Sequence, residues 1–116
     1  MTLLSATSVL DAPDLKEEIV EIPEWPADGA PGKLRLLEMD AERTQLFTTA
    51  METHGVDGMS VILIFCAVNE DGALLFTMDD LARMRKKNFR VLDRLQRICL
   101  RLNGMGAEGR AILKNA

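Results

Sequence analysis

Tyrosine is absent from this 116-residue chain, and the only rings are Trp25, Phe47, Phe65, Phe76 and Phe89. So few aromatics leave leucine and methionine to fill the core, and methionine also makes surfaces that re-pack easily around a partner. Histidine occurs once, at His54, with no motif around it. That leaves a Cys–His nucleophile without its usual context, and His54 is expected at a helix end before Gly55, where a cation is favourable. Cys66 and Cys99 are the only cysteines, form no CxxC and lie in apolar surroundings. Reduced, buried thiols of a cytosolic protein are expected rather than a disulfide framework. Met1–Leu10 has neither a basic n-region nor a long apolar core, which argues against a secretory signal. The longest apolar run, Val61–Val68, is far too short to span a bilayer. A soluble, cytoplasmic protein with no membrane partner is the expectation.

What is present fits one domain with a real core, because apolar residues make up 47% of the chain. Charge is unevenly distributed. Residues 1–80 hold 4 Lys/Arg against 16 Asp/Glu, net −12; residues 81–116 hold 10 against 2, net +8, giving the chain's −4. An acidic half and a basic half can cover one another within a fold or between subunits, so self-association is expected.

Residues 1–16 mix Ser, Thr, Ala, Pro and Asp and read as a mobile tail before a single globular domain over 17–104. EEIVEIP, 17–23, places Ile19 and Ile22 among charges and predicts a strand, with Val20 breaking the alternation. The stretch from Glu24 to Gly32 carries Pro26, Gly29, Pro31 and Gly32 and reads as a long loop. KLRLLEM, 33–39, predicts a second strand, antiparallel to the first. Asp40 caps a helix over 41–53, with Leu46, Phe47, Ala50 and Met51 at helical spacing. SVILIFCAV suits a buried helix or a strand, and its length from Asp57-Gly58 favours the helix. Residues 78–87 predict a short basic helix. The clearest element is 88–103: Val91 or Leu92, Leu95, Ile98, Cys99 and Leu102 form one apolar stripe, stopped by Asn103-Gly104. Residues 105–116 read as a tail or a last helical turn. The fold class is therefore α+β, mostly helical, with an N-terminal antiparallel β-hairpin followed by about four helices.

AVNEDGALLFTMDDL, 67–81, has the cadence of a calcium loop. With Gly72 as the sixth position, Asn69 and Asp71 fall where oxygen ligands belong, but Ala67 and Met78 fall at the first and twelfth. Neither ligates through its side chain, so a polar turn followed by a helix start at Thr77 is the better reading. No paired-carboxylate motif, phosphate loop or metal cluster stands out elsewhere. No catalytic, cofactor or metal site is expected.

The remaining candidates are contact residues. Arg90, Arg94, Arg97 and Arg101 recur at four, three and four, a basic stripe beside the apolar one. A solvated face paired with the acidic half is the favoured reading, ahead of a partner contact. A nucleic-acid-binding helical module comes third, because the chain is acidic overall and offers few stacking aromatics. Trp25 either folds back onto the hairpin as a lid or stands out as a contact, with the lid favoured.

The order of these segments resembles the tail assembly chaperones of long-tailed (siphovirus-type) bacteriophages. VEIPEW followed by KLRLLEM leading into D-A-E-R is similar to their start, and VILIFCAVNEDGALLFTMDDLARM to their middle. The family's closing helix of aliphatics and arginines ends in L-N-G, matched by Leu102-Asn103-Gly104. The resemblance spans about residues 17–104. It departs at Asn69, where acid is common, and at the basic run Arg83–Lys87, where charge is usually mixed. It implies a cytoplasmic, non-enzymatic assembly factor of a phage or prophage. Such chaperones bind the tape-measure protein, keep it soluble, give way to the tail tube protein, and are absent from the mature virion. It also implies a longer form made by ribosomal slippage, with which Leu113-Lys114-Asn115 is compatible.

Overall fold

A computed structural model describes residues 1–54 and 58–105. The elements run α1 (Ala6–Asp11), β1 (Glu17–Ala27), β2 (Ala30–Leu37), α2 (Ala41–His54), α3 (Gly58–Cys66), β3 (Ala67–Val68), a 3-10 turn (Met78–Asp80), α4 (Leu81–Met84) and α5 (Phe89–Leu102). The class is the expected α+β one, a hairpin followed by helices.

The hairpin is built differently from the expectation. β1 and β2 run past the supposed loop and meet at Asp28-Gly29, both with positive φ. Asp-Gly suits the two-residue turn whose twist matches that of paired strands, so no long loop is needed. The prolines are absorbed by irregular pairing: Ile22 opposes Gly32 and Pro26 opposes Pro31, leaving residues 23–25 as a bulge. A bulge tolerates a residue without an N–H, and it bends the strand. Register also corrects the facing of β1. Glu18, Val20 and Ile22 share a face with Leu36 and Leu34, which packs on the core, while Ile19 points outward and is exposed. Val20, which seemed to break the alternation, belongs to the inner set.

The apolar run resolves as helix plus a two-residue strand. α3 fills the centre, with Val61 to Cys66 all buried, and Ala67–Val68 then adds to β2 as the third strand in the order β1-β2-β3. α3 packs against α5, α2 and α4, and the hairpin closes over α5. In α2, Phe47 and Met51 are buried, with Phe47 meeting Phe65 edge-on at 6.1 Å, but Leu46 is exposed. Asp40 caps this helix, its Oδ1 accepting from the Arg43 N–H at 2.8 Å.

The expected basic helix over 78–87 is shorter and split. Its start is fixed by the Asp80 carboxylate accepting from the Thr77 N–H at 3.0 Å, and α4 ends at Met84. Residues 1–16, read as tail, contain α1. The side chain of His54, the stop at Gly55 and residues 106–116, to which the remaining terminal expectations refer, lie outside the described residues.

Asn103 closes the core. Its Oδ1 accepts from the Met39 N–H at 2.9 Å, while its Nδ2 donates to the Cys99 carbonyl at 2.7 Å and to Cys66 Sγ at 3.4 Å. One side chain thus ties the ends of β2, α3 and α5 together. Gly104, with φ 68, then lets the N–H of Met105 reach the Leu100 carbonyl, a Schellman stop. Cys66 and Cys99 are free and buried. A hydrogen bond shared with Cys66, and burial, push the Cys99 thiol well above the ordinary range.

Candidate functional site

The turn with the calcium-like cadence is held by protein groups. Asn69 Oδ1 accepts from the N–H groups of Asp71 at 2.9 Å and Ala73 at 3.1 Å, and Gly72 takes the positive φ of 82° that the turn needs. Two arginines reach in from the rest of the fold. Arg35 donates to the Asn69 and Glu70 carbonyls, and Arg43 to that of Gly72 at 2.8 Å. The stretch is thus a strut between β3 and the α4 region.

The arginine stripe divides by partner. Arg94 donates from both terminal nitrogens to the two oxygens of Glu24, at 3.1 and 3.0 Å. Arg101 reaches both oxygens of Glu18 at 2.9 Å. Glu18 and Glu24 are on β1, so the basic helix is covered by the acidic hairpin of the same chain. The hydrogen bond from Arg94 holds the Glu24 carboxyl below its ordinary value. Arg97 pairs along its own helix with Asp93 at 3.1 Å. Arg90 is exposed and forms no ion pair among the described residues. Pairing with the acidic half therefore describes Arg94 and Arg101, while Arg97 pairs within its own helix. The remaining outward face carries Arg90 together with Phe89, which is 67% exposed.

Trp25 is half-buried against the core, as a lid would be, and one wall of a groove as well. The bulge swings it toward α4, and Gly32 makes this possible: a Cβ there would collide with the Trp25 carbonyl. Phe76 and Met84 form the floor with Trp25, and Asp80, Arg83 and Lys87 form the rim of a cavity of about 380 Å³. Lys87 Nζ sits 5.5 Å from the centre of the indole. Asp80 accepts from the Thr77 N–H and keeps its charge, so two cations, Arg83 and Lys87, face one carboxylate on the rim. Sequence reasoning found Trp25 but not its partners. The signal available was the dense run Arg83–Lys87, whose register on a one-turn helix only the fold supplies.

A second groove, about 270 Å³, lies along α2 between Leu46, Ala50, Phe65 and Met78 and has no charged wall. Among the described residues, no group of three His, Cys, Asp or Glu side chains is arranged to hold a metal, and no helix is long and apolar enough to cross a membrane.

No family model matches the sequence, and no curated protein matches it. Among solved structures, the fold is similar to that of the bacteriophage HK97 tail assembly chaperone. The match covers 83% of this chain and 90% of that one, with a TM-score of 0.57 and 21% sequence identity. The hairpin, the central apolar helix and the closing amphipathic helix thus form the fold of a phage tail assembly chaperone.

Proposed function

We propose that the chain is a tail assembly chaperone of a long-tailed phage or prophage. It binds the tape-measure protein, keeps it from aggregating, and yields it to the tail tube protein in the host cytoplasm, without entering the virion. The observation that carries this is the shared fold with the HK97 tail assembly chaperone over nearly the whole of both chains. The surface supports the same reading. A long helical client with apolar stripes needs apolar contacts that leave the complex charged. Leu46, Leu75 and Phe89 are exposed, Leu46 on a groove that also holds Met78, and the chain carries net −4. The proposed contacts are Trp25 and the arginine helix, with Arg90 and Arg97 facing outward and Arg94 and Arg101 released only if the hairpin gives up Glu24 and Glu18.

Co-expression with the tape-measure protein encoded nearby, followed by co-purification at low and moderate salt, tests the proposal. A soluble client eluting with this chain is expected. An insoluble client with nucleic acid co-purifying instead would overturn the proposal and favour the nucleic-acid module. The longer slippage form is tested on the nucleotide sequence: codons around Leu113-Lys114-Asn115 that cannot re-pair after a one-base shift rule it out.

A further inference from the structure

Cys66 and Cys99 are free thiols to which the proposed function gives no role, and both have 0% of their surface exposed. They come from two different helices. Cys66 is the last residue of α3, where the backbone passes from helix into β3, and Cys99 sits in the last turn of α5. α3 and α5 pack against each other, and the two thiols meet at that seam, where they share a hydrogen bond. Asn103, one helical turn beyond Cys99, brackets the pair. Its Nδ2 donates to Cys66 Sγ at 3.4 Å and to the Cys99 carbonyl at 2.7 Å.

The two sulfurs are chemically unlike. Cys66 accepts from the Cys99 thiol and from Asn103, and Arg43 adds positive charge nearby; together these hold its thiol below the ordinary value although burial opposes them. Cys99 is pushed the other way, by giving its proton to that hydrogen bond and by burial. Cys66 is therefore the thiol that ionises first and attacks, and Cys99 the one that follows. Burial keeps both from reagents while the fold is closed, so reaction waits on local opening of the seam.

We propose that Cys66 and Cys99 are an oxidation site, closing to an intramolecular disulfide with a small-molecule disulfide as oxidant and so latching the end of α3 to α5. The Cys66 thiolate attacks one sulfur of the small disulfide, whose S–S bond breaks and releases one small thiolate. The mixed disulfide left on Cys66 is then attacked at Cys66 Sγ by the Cys99 thiolate, which displaces the second small thiolate. The two protein thiols are oxidised, the small disulfide is reduced, and the two cysteine protons end on the two small thiols. The sulfurs close from hydrogen-bond contact to about 2 Å. The end of α3 supplies that movement, because Cys66 stands where the helix stops rather than within it. A reducing compartment keeps the pair as thiols; a more oxidising one closes the latch around residues 66 to 99 and restricts the unfolded chain. Closure depends on this chain's own residues alone and is tested without any client.

The test incubates the reduced full chain, natively folded, with excess hydroxyethyl disulfide, with and without sub-denaturing urea to promote opening. After an acid quench, intact mass, alkylation in denaturant and peptide mapping read the product. The wild type should lose both alkylatable thiols and two hydrogens, and yield a peptide pair joined through Cys66 and Cys99. Urea should speed the reaction without changing that product. The oxidised chain should unfold at a urea midpoint higher by about 1–2 M, and dithiothreitol should reverse the rise. Cys99→Ser should stop at the mixed disulfide on Cys66, whereas Cys66→Ser should leave Cys99 unmodified. If either serine variant fails to fold, the wild-type peptide map still decides. Two thiols that remain alkylatable even with urea present overturn the proposal. So does a disulfide that joins two chains, or a mixed disulfide that persists in the wild type. An intramolecular disulfide that leaves the unfolding midpoint unchanged or lowered overturns the latch.

Discussion

Helices α1 and α3 are both short, and they hold their shape for opposite reasons. α3 has no acid in its first turn and no base in its last, but Val61 through Cys66 are buried, with α2, α4 and α5 packed against the helix. α1 has a complete serine capping box and buries none of its residues. The first is a helix because the core demands that its backbone groups be satisfied internally. The second is a helix because local hydrogen bonds start it, although six residues are few for an isolated helix in water. α1 keeps Val9 and Leu10 in water, so its shape rests on the capping box rather than on packing.

The contrast can be broken most sharply at Leu63. Leu63→Ala removes a side chain with no exposed surface and should cost about 2–5 kcal/mol, measured by urea unfolding. At high dilution, Leu10→Asp should move the same unfolding midpoint by less than about 0.5 kcal/mol, as exposed substitutions do. Equal effects at the two sites would mean that Leu10 belongs to the folded core after all.

Asn103 sharpens the comparison, because it is a polar residue on which the apolar core depends. Asn103→Ala leaves the Met39 N–H without its partner, while the Cys99 carbonyl keeps the backbone N–H of residue 103, and should cost about 1–3 kcal/mol. Gln96 is the reverse case. It is buried in α5 with its Oε1 unpaired among the described residues, so Gln96→Met should raise stability by about 1 kcal/mol. A loss there would show that the amide does work in the fold that its oxygen does not.

The smallest effect is expected at the ion pairs. Glu24 is held below its ordinary value by Arg94, so the pair favours folding above the unfolded glutamate value and loses that contribution as pH falls through the lowered folded value. Arg94→Ala should therefore shift acid unfolding slightly to higher pH, and added salt should shrink the difference, since both side chains are exposed. No shift at low salt would show that the bidentate geometry contributes nothing in solution.

Much of the fold was legible. The α5 stripe, the Asp40 cap, the antiparallel pair and the Asn103-Gly104 stop all carry local signals. The Asp28-Gly29 turn was legible too, but the surrounding prolines masked it, since a bulge that absorbs residues 23–25 has no pattern of its own. Leu46 was misplaced because helical spacing gives a stripe its width, not the reach of the partner that covers it. The contact site was half legible: composition pointed to Trp25, but its groove is assembled from residues some fifty positions further along the chain.

By itself the sequence determined that an antiparallel hairpin precedes the helices, where α2 starts and where α5 stops, because caps, turns and periodicity act within a few residues. It also determined that acid and base are segregated along the chain. Only the tertiary structure decided which charges meet. Arg94 finds Glu24 and Arg101 finds Glu18 because the hairpin folds across α5, and no local rule encodes a contact seventy or eighty residues apart. The same holds for the groove at Trp25. Whether an apolar side chain is core or surface depends on what packs over it, and the described residues leave Leu3, Leu4 and Leu10 exposed.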